Sequence, residues 1–364
     1  MTKIYKLLGL LLFGLVSCVG QNEVFIDSTH PNIQYSGRIA TTKDKAAELH
    51  WSGTSVKVEF EGRSIEALLQ DNLGDNYYNI LIDNVLIAII RPDSIKKYYH
   101  LASNLAAGKH TIEIFKRTEW SKGKTYFYGF KINSAGKITS KKRDKQKKME
   151  FFGNSITAGY AVEDLSGGDS PDSTYTNNYL SYAAITARNY KAKYQCICKS
   201  GIGITVSWDS LIMPEIFDRL DPTNAASLWN FKNYQPDVVV VNLFQNDSWL
   251  VKLPEHVEFK RRFGNKAPDD AYLINAYQEF IAKLRKRYPN AHIINALGSM
   301  DAAKKGSKWR MYIETAVTNL KDNKMYTHFM PYIPASAHPS IQDHEEMAES
   351  LIQFIDKSID WSLK

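Results

Sequence analysis

The spacing of apolar residues differs between the two parts of the chain, and this difference restricts the fold more than any other feature. In the first part, apolar and polar residues alternate over short segments such as 56–60 and 65–69, and turns such as Asp83-Asn84 separate the segments. Alternation with a period of two is typical of β-strands that bury one face. Many such strands with close turns predict an all-β sandwich over residues 22–140.

The second part of the chain alternates between short apolar segments and longer amphipathic ones. We predict strands over residues 149–152, 194–198, 238–243, 292–297 and 325–330, and helices over residues 178–190, 271–288, 309–320 and 341–355. Short buried strands that alternate with helices form a parallel sheet with helices on both faces. We therefore predict an α/β domain over residues 149–364, preceded by the sandwich.

A basic segment joins the two predicted domains. Six of the eight residues 141–148 are Lys or Arg. Such a segment binds nucleic acid in some proteins, but no nucleic-acid-binding motif accompanies it here. We interpret it as a solvated connector and expect no nucleic-acid partner. The composition, 44% hydrophobic and 23% charged, is that of an ordinary globular chain.

The N-terminus has the pattern of a lipoprotein signal. Two lysines precede the apolar run 7–16, and the sequence Leu-Val-Ser-Cys ends at Cys18. The run is too short for a membrane-spanning helix, which needs ~20 apolar residues, and it fits a secretory signal. We expect residues 1–18 to direct export and Cys18 to carry lipid, with a plainly cleaved signal as the alternative. The protein would then be anchored on the periplasmic side of a membrane or at the cell surface.

The remaining cysteines are Cys196 and Cys198, which share one predicted buried strand. Their i, i+2 spacing lies near the upper limit of the span that a disulfide bridges. We predict two buried free thiols, with a disulfide as the alternative. We expect no metal, because no His or Cys lies nearby at zinc-binding spacing, and we expect no cofactor.

A serine follows the first strand of the predicted parallel sheet. The segment Gly153-Asn154-Ser155 places it on the turn between that strand and a helix. This turn lies at the carboxyl edge of the sheet, where open α/β sheets bind ligands. The N-terminus of a helix also favours negative charge that develops beside it. Ser155 is therefore a potential nucleophile; the alternative is that its side chain only caps the helix.

Further motifs follow the next strands of the same domain. Residues 200–203 read Ser-Gly-Ile-Gly after the second strand, Asn246 follows the third, and His338 precedes Pro-Ser in the last loop. A serine hydroxyl needs a base to take its proton, and His suits this task near neutral pH. The oxyanion that forms on attack needs fixed hydrogen-bond donors.

Together with Ser155, these motifs resemble the sequence blocks of the SGNH, or GDSL, hydrolases over residues 149–364. The resemblance implies a three-layer α/β/α fold and assigns Ser155 as nucleophile and His338 as base. It assigns the oxyanion hole to the backbone N–H groups of Ser155 and Gly203 and to the side-chain amide of Asn246. Gly201 is the alternative to Gly203.

Two positions depart from that family's pattern. Phe244 stands where the third block has Gly, and we expect it to narrow the site. Ala335 stands three residues before His338, where the family has its Asp. We therefore predict a Ser-His dyad, in which a main-chain carbonyl of the same loop holds Nδ1–H of His338. The alternative is an acid from elsewhere, such as Asp343 or Asp247.

The order of the domains, with the missing acid, resembles carbohydrate esterase family two. That resemblance implies a jelly-roll-like sandwich and an enzyme that removes O-acetyl groups from plant-type polysaccharides or oligosaccharides. Trp208 and Trp249 closely follow two of the motifs, so their rings are potential sugar-stacking faces; ordinary packing is the alternative. We expect the loop 161–177 to border the cleft.

Two other functions fit the same sequence. One is a non-catalytic, glycan-binding surface lipoprotein whose esterase site has decayed, and the other is an SGNH lipase or arylesterase that acts on acyl lipids. The segments near the motifs are polar and aromatic rather than broadly aliphatic, which disfavours the lipase. We expect a monomer whose partners are an acetylated glycan and, through the N-terminal lipid, a membrane.

Overall fold

The computed structural model describes residues 23–133, 136–139, 146–334 and 337–360. Alternating apolar residues form antiparallel strands in the first part of the chain. These strands are β1 (Glu23–Asp27), β2 (Gln34–Ser36), β3 (Ile39–Thr41), β4 (Ala47–Leu49), β5 (Ser55–Glu61), β6 (Ile65–Asp71), β7 (Tyr78–Ile82), β8 (Val85–Ile90), β9 (Lys97–Ala102), β10 (Lys109–Lys116), β11 (Thr125–Asn133) and β12 (Lys137–Thr139).

The strands build two sheets that pack as a sandwich. One sheet has the order β3-β4-β11-β6-β9 with β1 beside β11, and the other has the order β12-β5-β10-β7-β8 with β2 beside β5. Inward side chains of both sheets, among them Val58, Leu69 and Ile114, form one buried core, as a period of two requires. The predicted sandwich is confirmed. Asp83 and Asn84 join β7 to β8 with φ angles of 52° and 67°, the left-handed geometry that a tight hairpin needs.

The second domain alternates strands and helices from its first residue. Its elements are β13 (Lys148–Gly153), α1 (Ser155–Ala158), α2 (Tyr182–Asn189), β14 (Lys193–Cys198), α3 (Met213–Ile216), β15 (Val238–Asn242), α4 (Gln245–Leu250), α5 (Val257–Phe263), α6 (Asp270–Arg287), β16 (His292–Ser299), α7 (Lys308–Leu320), β17 (Met325–Tyr332) and α8 (Ile341–Ser358). The strands pair in parallel in the order β14-β13-β15-β16-β17.

Helices cover both faces of this parallel sheet. Val239 and Val241 of β15 point into a core shared with α6 and α7, whereas Val238 and Val240 point into a core shared with α2 and α8. The predicted three-layer α/β/α arrangement is therefore confirmed. The helix predicted over 178–190 begins later, at Tyr182, because the side chain of Ser181 caps it.

A buried ion pair joins the two domains. Arg38 of the sandwich lies 3.0 Å from Glu150 of β13, and both side chains are fully buried. The guanidinium also donates to the carbonyls of Phe217 and Arg219. Burial raises the pKa of Glu150, and Arg38 opposes that effect. Removing one partner of such a pair costs ~3–5 kcal/mol, because a buried charge is left alone, so this contact restricts how the domains pack.

Several sequence predictions concern the ends and joints of the domains. Cys196 and Cys198 are buried free thiols, as predicted. Residues 1–18, with Cys18, and residues 141–145 of the connector lie outside the described residues, so the predictions made for them stay predictions. Within the part of the chain that the structure describes, no helix has both the length and the apolar character needed to cross a bilayer.

Candidate active site

The predicted site residues lie on turns at one edge of the parallel sheet. Ser155 follows β13, residues 200–203 follow β14, and Asn246 follows β15 by way of a short turn. Because β13 lies between β14 and β15, these turns meet at the carboxyl edge, where open α/β sheets bind ligands. His338 reaches the same edge from the loop before α8.

The structure brings Ser155 and His338 together. The hydroxyl of Ser155 donates a hydrogen bond of 2.8 Å to Nε2 of His338. Asn154 caps α1 with its side chain, which accepts from the N–H of Ile156. The alternative that Ser155 serves only as a cap is therefore wrong. The residue is 6% exposed, and the ring of Tyr160 packs 4.9 Å from the imidazole, so the pair is largely shielded from water.

A carboxylate holds the other side of the imidazole. Nδ1 of His338 lies 2.9 Å from Oδ2 of Asp169, and the backbone N–H of His338 donates to Oδ1 of the same residue at 2.7 Å. The predicted dyad, with a main-chain carbonyl at Nδ1, is therefore wrong, because a carboxylate occupies that position. Asp343, one of the proposed substitutes, caps α8 through Ser340 instead. Ala335 lies outside the described residues.

Sequence reasoning missed Asp169 because the acid is distant from the base along the chain. The two residues are 169 positions apart, and the loop 161–177 also contains Asp164 and Asp172, which no spacing rule separates from Asp169. The loop was expected only to border the cleft. The sequence shows only that Asp169 follows Gly167 and Gly168, a pattern typical of a turn; the structure gives Asp169 a φ of 53°, which Asp tolerates better than most residues.

The sandwich domain holds the loop that carries Asp169. The guanidinium of Arg117 donates to the carbonyl of Thr174 at 2.9 Å and pairs with Glu163. The hydroxyl of Ser173 donates to Asp75 at 2.6 Å. The position of the acid therefore depends on contacts made from the other domain.

The side-chain amide of Asn246, the predicted oxyanion donor, is held at both of its ends. Its side chain is 3% exposed, and one Nδ2 hydrogen donates to the carbonyl of Ile202 at 2.8 Å. Its Oδ1 accepts from the indole N–H of Trp208 at 3.1 Å. Because the amide is held at both ends, the direction of its second Nδ2 hydrogen is set in advance, as stabilisation of an oxyanion requires.

Gly201 is better suited than Gly203 to be the second donor of the oxyanion hole. The N–H of Gly203 already donates to Oγ of Ser207 at 2.9 Å, so our first assignment would require that bond to break. Among the hydrogen bonds of the described residues, none uses the N–H of Gly201. Gly201 has a φ of 78°, and a Cβ there would lie 3.2 Å from Trp208. We therefore take the N–H of Gly201, rather than that of Gly203, as the candidate second donor of the oxyanion hole.

Asp247 holds residues 204–206, in the turn after β14, and is not the acid that holds His338. Its buried carboxylate accepts the backbone N–H groups of Ile204 and Thr205, the hydroxyl of Thr205 and, less closely, the N–H of Val206. Burial raises the pKa of Asp247, while these donors lower it. The second proposed substitute for the missing acid is therefore occupied elsewhere.

Trp208 and Trp249, the two predicted sugar-stacking residues, differ in the partners of their indole N–H groups. Trp208 is 45% exposed, so its ring remains available to a sugar. Its backbone N–H also donates to the carbonyl of Gly201 at 3.0 Å, and its indole N–H reaches Asn246. It thus connects the two candidate oxyanion donors Gly201 and Asn246, a role that the sequence did not indicate. The indole of Trp249 donates to Asp301 at 3.2 Å, and its predicted sugar contact stays a prediction.

Phe244 does not narrow the site, contrary to expectation. Its ring is fully buried in the core beneath α6 and α7. The ring centroid lies 4.7 Å from that of Tyr277 and 5.0 Å from that of Trp309. Its φ is 84°, in the left-handed region that favours glycine. The positive φ at this position explains why the family has Gly there. In this chain, aromatic packing offsets the backbone strain that Phe244 incurs at this φ.

One group of side chains in the described residues has the spacing of metal ligands. Glu48, His50 and Asp221 bring potential ligand atoms within 4.8 Å of one another. The ammonium of Lys124 lies 3.0 Å from Glu48 and 3.7 Å from Asp221, so a cation already occupies this group. It contains no residue of the Ser155 site.

Comparison with protein families gives two matches that divide the chain as the fold does. A family described as "Carbohydrate esterase 2 N-terminal" matches residues 35–141. A second, described as "GDSL-like Lipase/Acylhydrolase family", matches residues 151–350.

The names of individual relatives are consistent with these two families. The cellulase/esterase CelE of Acetivibrio thermocellus is 32% identical to this chain over 92% of the chain's residues. The matched part covers 40% of the length of CelE. An acetylxylan esterase / glucomannan deacetylase of Cellvibrio japonicus is 26% identical over 97% of this chain and 98% of its own length. The structure of a family two carbohydrate esterase from Clostridium thermocellum, in complex with cellohexaose, is 30% identical, with a TM-score of 0.79 over 89% of this chain and 98% of that one.

We predict that Asp169→Asn lowers kcat for an acetyl ester by roughly 10⁴, with little change in KM. Asn keeps the size of the side chain and tolerates the positive φ, but it is neutral and does not stabilise the imidazolium. Steady-state kinetics with p-nitrophenyl acetate measure the effect. The matched control is Asp343→Asn, which should leave kcat unchanged. Equal losses in both variants would show that Asp169 has no special role.

We predict that Trp208→Phe lowers kcat by roughly tenfold, less than the 10²–10³ that follows loss of an oxyanion donor, and leaves KM nearly unchanged. Phe keeps an aromatic face for a sugar but removes the N–H that holds Asn246. The control Trp249→Phe loses only its bond to Asp301 and should keep its kcat. An effect of Trp208→Phe on KM alone would instead assign this indole to substrate binding.

Proposed function

Since the chain belongs to carbohydrate esterase family two and contains a GDSL-like acylhydrolase domain, we propose that it hydrolyses O-acetyl esters on plant-type polysaccharides or oligosaccharides. The observation that carries the proposal is the continuous line of hydrogen bonds from Ser155 through His338 to Asp169, at 2.8 and 2.9 Å. This is the arrangement that activates a serine hydroxyl for attack on an ester carbonyl.

The reaction proceeds in two halves, and water takes part only in the second. Nε2 of His338 takes the proton of Ser155 as Oγ attacks the acetyl carbon, and Asp169 stabilises the imidazolium. The N–H groups of Ser155 and Gly201 and the amide of Asn246 bind the oxyanion. His338 then gives its proton to the departing sugar oxygen, which leaves an acetyl-enzyme. Water, deprotonated by His338, then attacks the acetyl carbon; the bond to Oγ of Ser155 breaks, His338 returns the proton to Oγ, and acetate is released.

The names of the relatives support a carbohydrate substrate. Two of them are called acetylxylan esterase / glucomannan deacetylase. The exposed ring of Trp208 beside the oxyanion donors suits a sugar ring, which stacks on an aromatic face. The aligned Ser155, His338 and Asp169 disfavour a binding protein with a decayed site, because a decayed site has no need to keep these contacts.

We also propose that the protein is an exported lipoprotein, anchored through lipid on Cys18 at the periplasmic side of a membrane or the cell surface. The pattern of the N-terminus supports this, with its apolar run 7–16 followed by Leu-Val-Ser-Cys. Anchoring of this kind would hold the esterase close to glycans outside the cytoplasm.

We predict that Ser155→Ala lowers kcat on acetylated xylan by on the order of 10⁶, as removal of the nucleophile does in other serine hydrolases. Acetate release from acetylated xylan, mannan and pectin measures it, and circular dichroism checks the fold. Wild type should also prefer p-nitrophenyl acetate to a long-chain ester. A preference for the long chain would favour a lipase, and no turnover of any ester by wild type would favour a glycan-binding protein.

We predict that Cys18→Ala moves the protein from the membrane fraction to the soluble fraction, because the thiol that accepts lipid is lost. Fractionation of cells that express each form, with detergent release of the wild type, gives the measurement. The control is Cys196→Ala, whose buried thiol cannot accept lipid and which should stay with the membrane. Identical fractionation of wild type and Cys18→Ala would exclude lipid anchoring through Cys18.

A further inference from the structure

A carboxylate of the sandwich domain contacts the turn that carries Gly201. Glu119 lies between β10 and β11 and is 4% exposed. Its two oxygens accept from the backbone N–H and from the hydroxyl of Ser200, each at 2.5 Å. Ser200 directly precedes Gly201, so a residue of one domain holds the residue next to an oxyanion donor in the other.

The two residues that flank the Ser200–Gly201 peptide bond are held by other contacts as well. The ammonium of Lys199 donates to the carbonyl of Ser200 at 3.1 Å, and the carbonyl of Gly201 accepts from Trp208 at 3.0 Å. A peptide group whose C=O accepts a charged donor is polarised, which strengthens its N–H as a donor. That N–H belongs to Gly201. Glu119 thus holds Ser200, the residue directly before the N–H group that we assign to the oxyanion hole.

The position of Glu119 is itself fixed. The fully buried ammonium of Lys116 donates to the carbonyls of Thr118 and Glu119 at 3.3 and 3.2 Å. A buried carboxylate is unfavourable unless donors satisfy it, and Ser200 provides both. The contact therefore restrains Glu119 and Ser200 alike.

We propose that Glu119 is a positioning residue for the oxyanion hole, through which the sandwich domain directly supports catalysis. The inference rests on the proposed esterase function. It assigns the sandwich a role in the chemical step in addition to any role in binding glycans. Loss of Glu119 should allow the turn at Ser200 to move, so that Gly201 stabilises the transition state less than it now does.

The test compares Glu119→Ala with Glu119→Gln on p-nitrophenyl acetate. Glu119→Ala should lower kcat by about 10², with KM changed by less than about threefold, since an oxyanion donor acts mainly in the transition state. Glu119→Gln should lose at most about tenfold, because its amide oxygen still accepts the N–H of Ser200 while its NH₂ donates to the hydroxyl. Ser200→Ala, which removes one of the two bonds, keeps the test open should Glu119→Ala not fold.

Two further measurements separate positioning from general stability. Phenylboronic acid forms a negatively charged tetrahedral adduct on a catalytic serine, so its inhibition constant should rise by the same factor by which kcat falls. The control is Glu48→Gln, which removes another sandwich carboxylate, one that contacts Lys124, itself 3.7 Å from Asp221 of the other domain. This variant should lower the unfolding temperature without changing kcat or boronate affinity.

The outcomes distinguish the two proposals. An inactive wild type, or a Ser155→Ala variant that keeps its activity, would overturn the esterase function itself. An active wild type whose folded Glu119→Ala and Ser200→Ala variants keep more than half of kcat would overturn only the role of Glu119. A loss confined to KM, or an equal kcat loss in Glu48→Gln, would have the same consequence.

Discussion

The chemistry of this site depends on how Asp169 holds His338. One carboxylate oxygen accepts the ring Nδ1–H and the other accepts the backbone N–H of the same residue, so a single side chain fixes both the orientation and the tautomer of the imidazole. Nε2 is then left unprotonated beside the hydroxyl of Ser155. Without that base, Ser155 would be an ordinary hydroxyl in a turn, too weak a nucleophile for ester hydrolysis.

The two domains form one catalytic unit in this structure. Arg117 and Asp75 of the sandwich hold the loop that carries Asp169, and Glu119 holds the turn before Gly201. The fully buried pair of Arg38 and Glu150 restricts how the domains pack. An acid far from the base in sequence must be held in place by tertiary contacts, and here the neighbouring domain supplies several of them.

Local patterns predicted the fold and the central residues of the site. The change of period separated sandwich from parallel sheet. The end of the short buried strand β13 pointed to Ser155, and the family resemblance at the end of β15 pointed to Asn246. Asp169 could not be found in this way, since its contact with His338 depends on tertiary packing. The choice between Gly201 and Gly203 likewise depends on which N–H Ser207 already occupies, and spacing carries no record of that bond.

The most direct test of the account is the protonation of the His338 ring in the resting enzyme, observed by ¹⁵N NMR of imidazole-labelled protein at a pH where the ring is neutral. We expect Nδ1 to carry the proton and Nε2 to be bare in wild type. We also expect Asp169→Asn to disturb this single tautomer and Asp343→Asn to preserve it. A proton on Nε2 in wild type, or a tautomer indifferent to Asp169→Asn, would contradict a Ser155–His338–Asp169 triad.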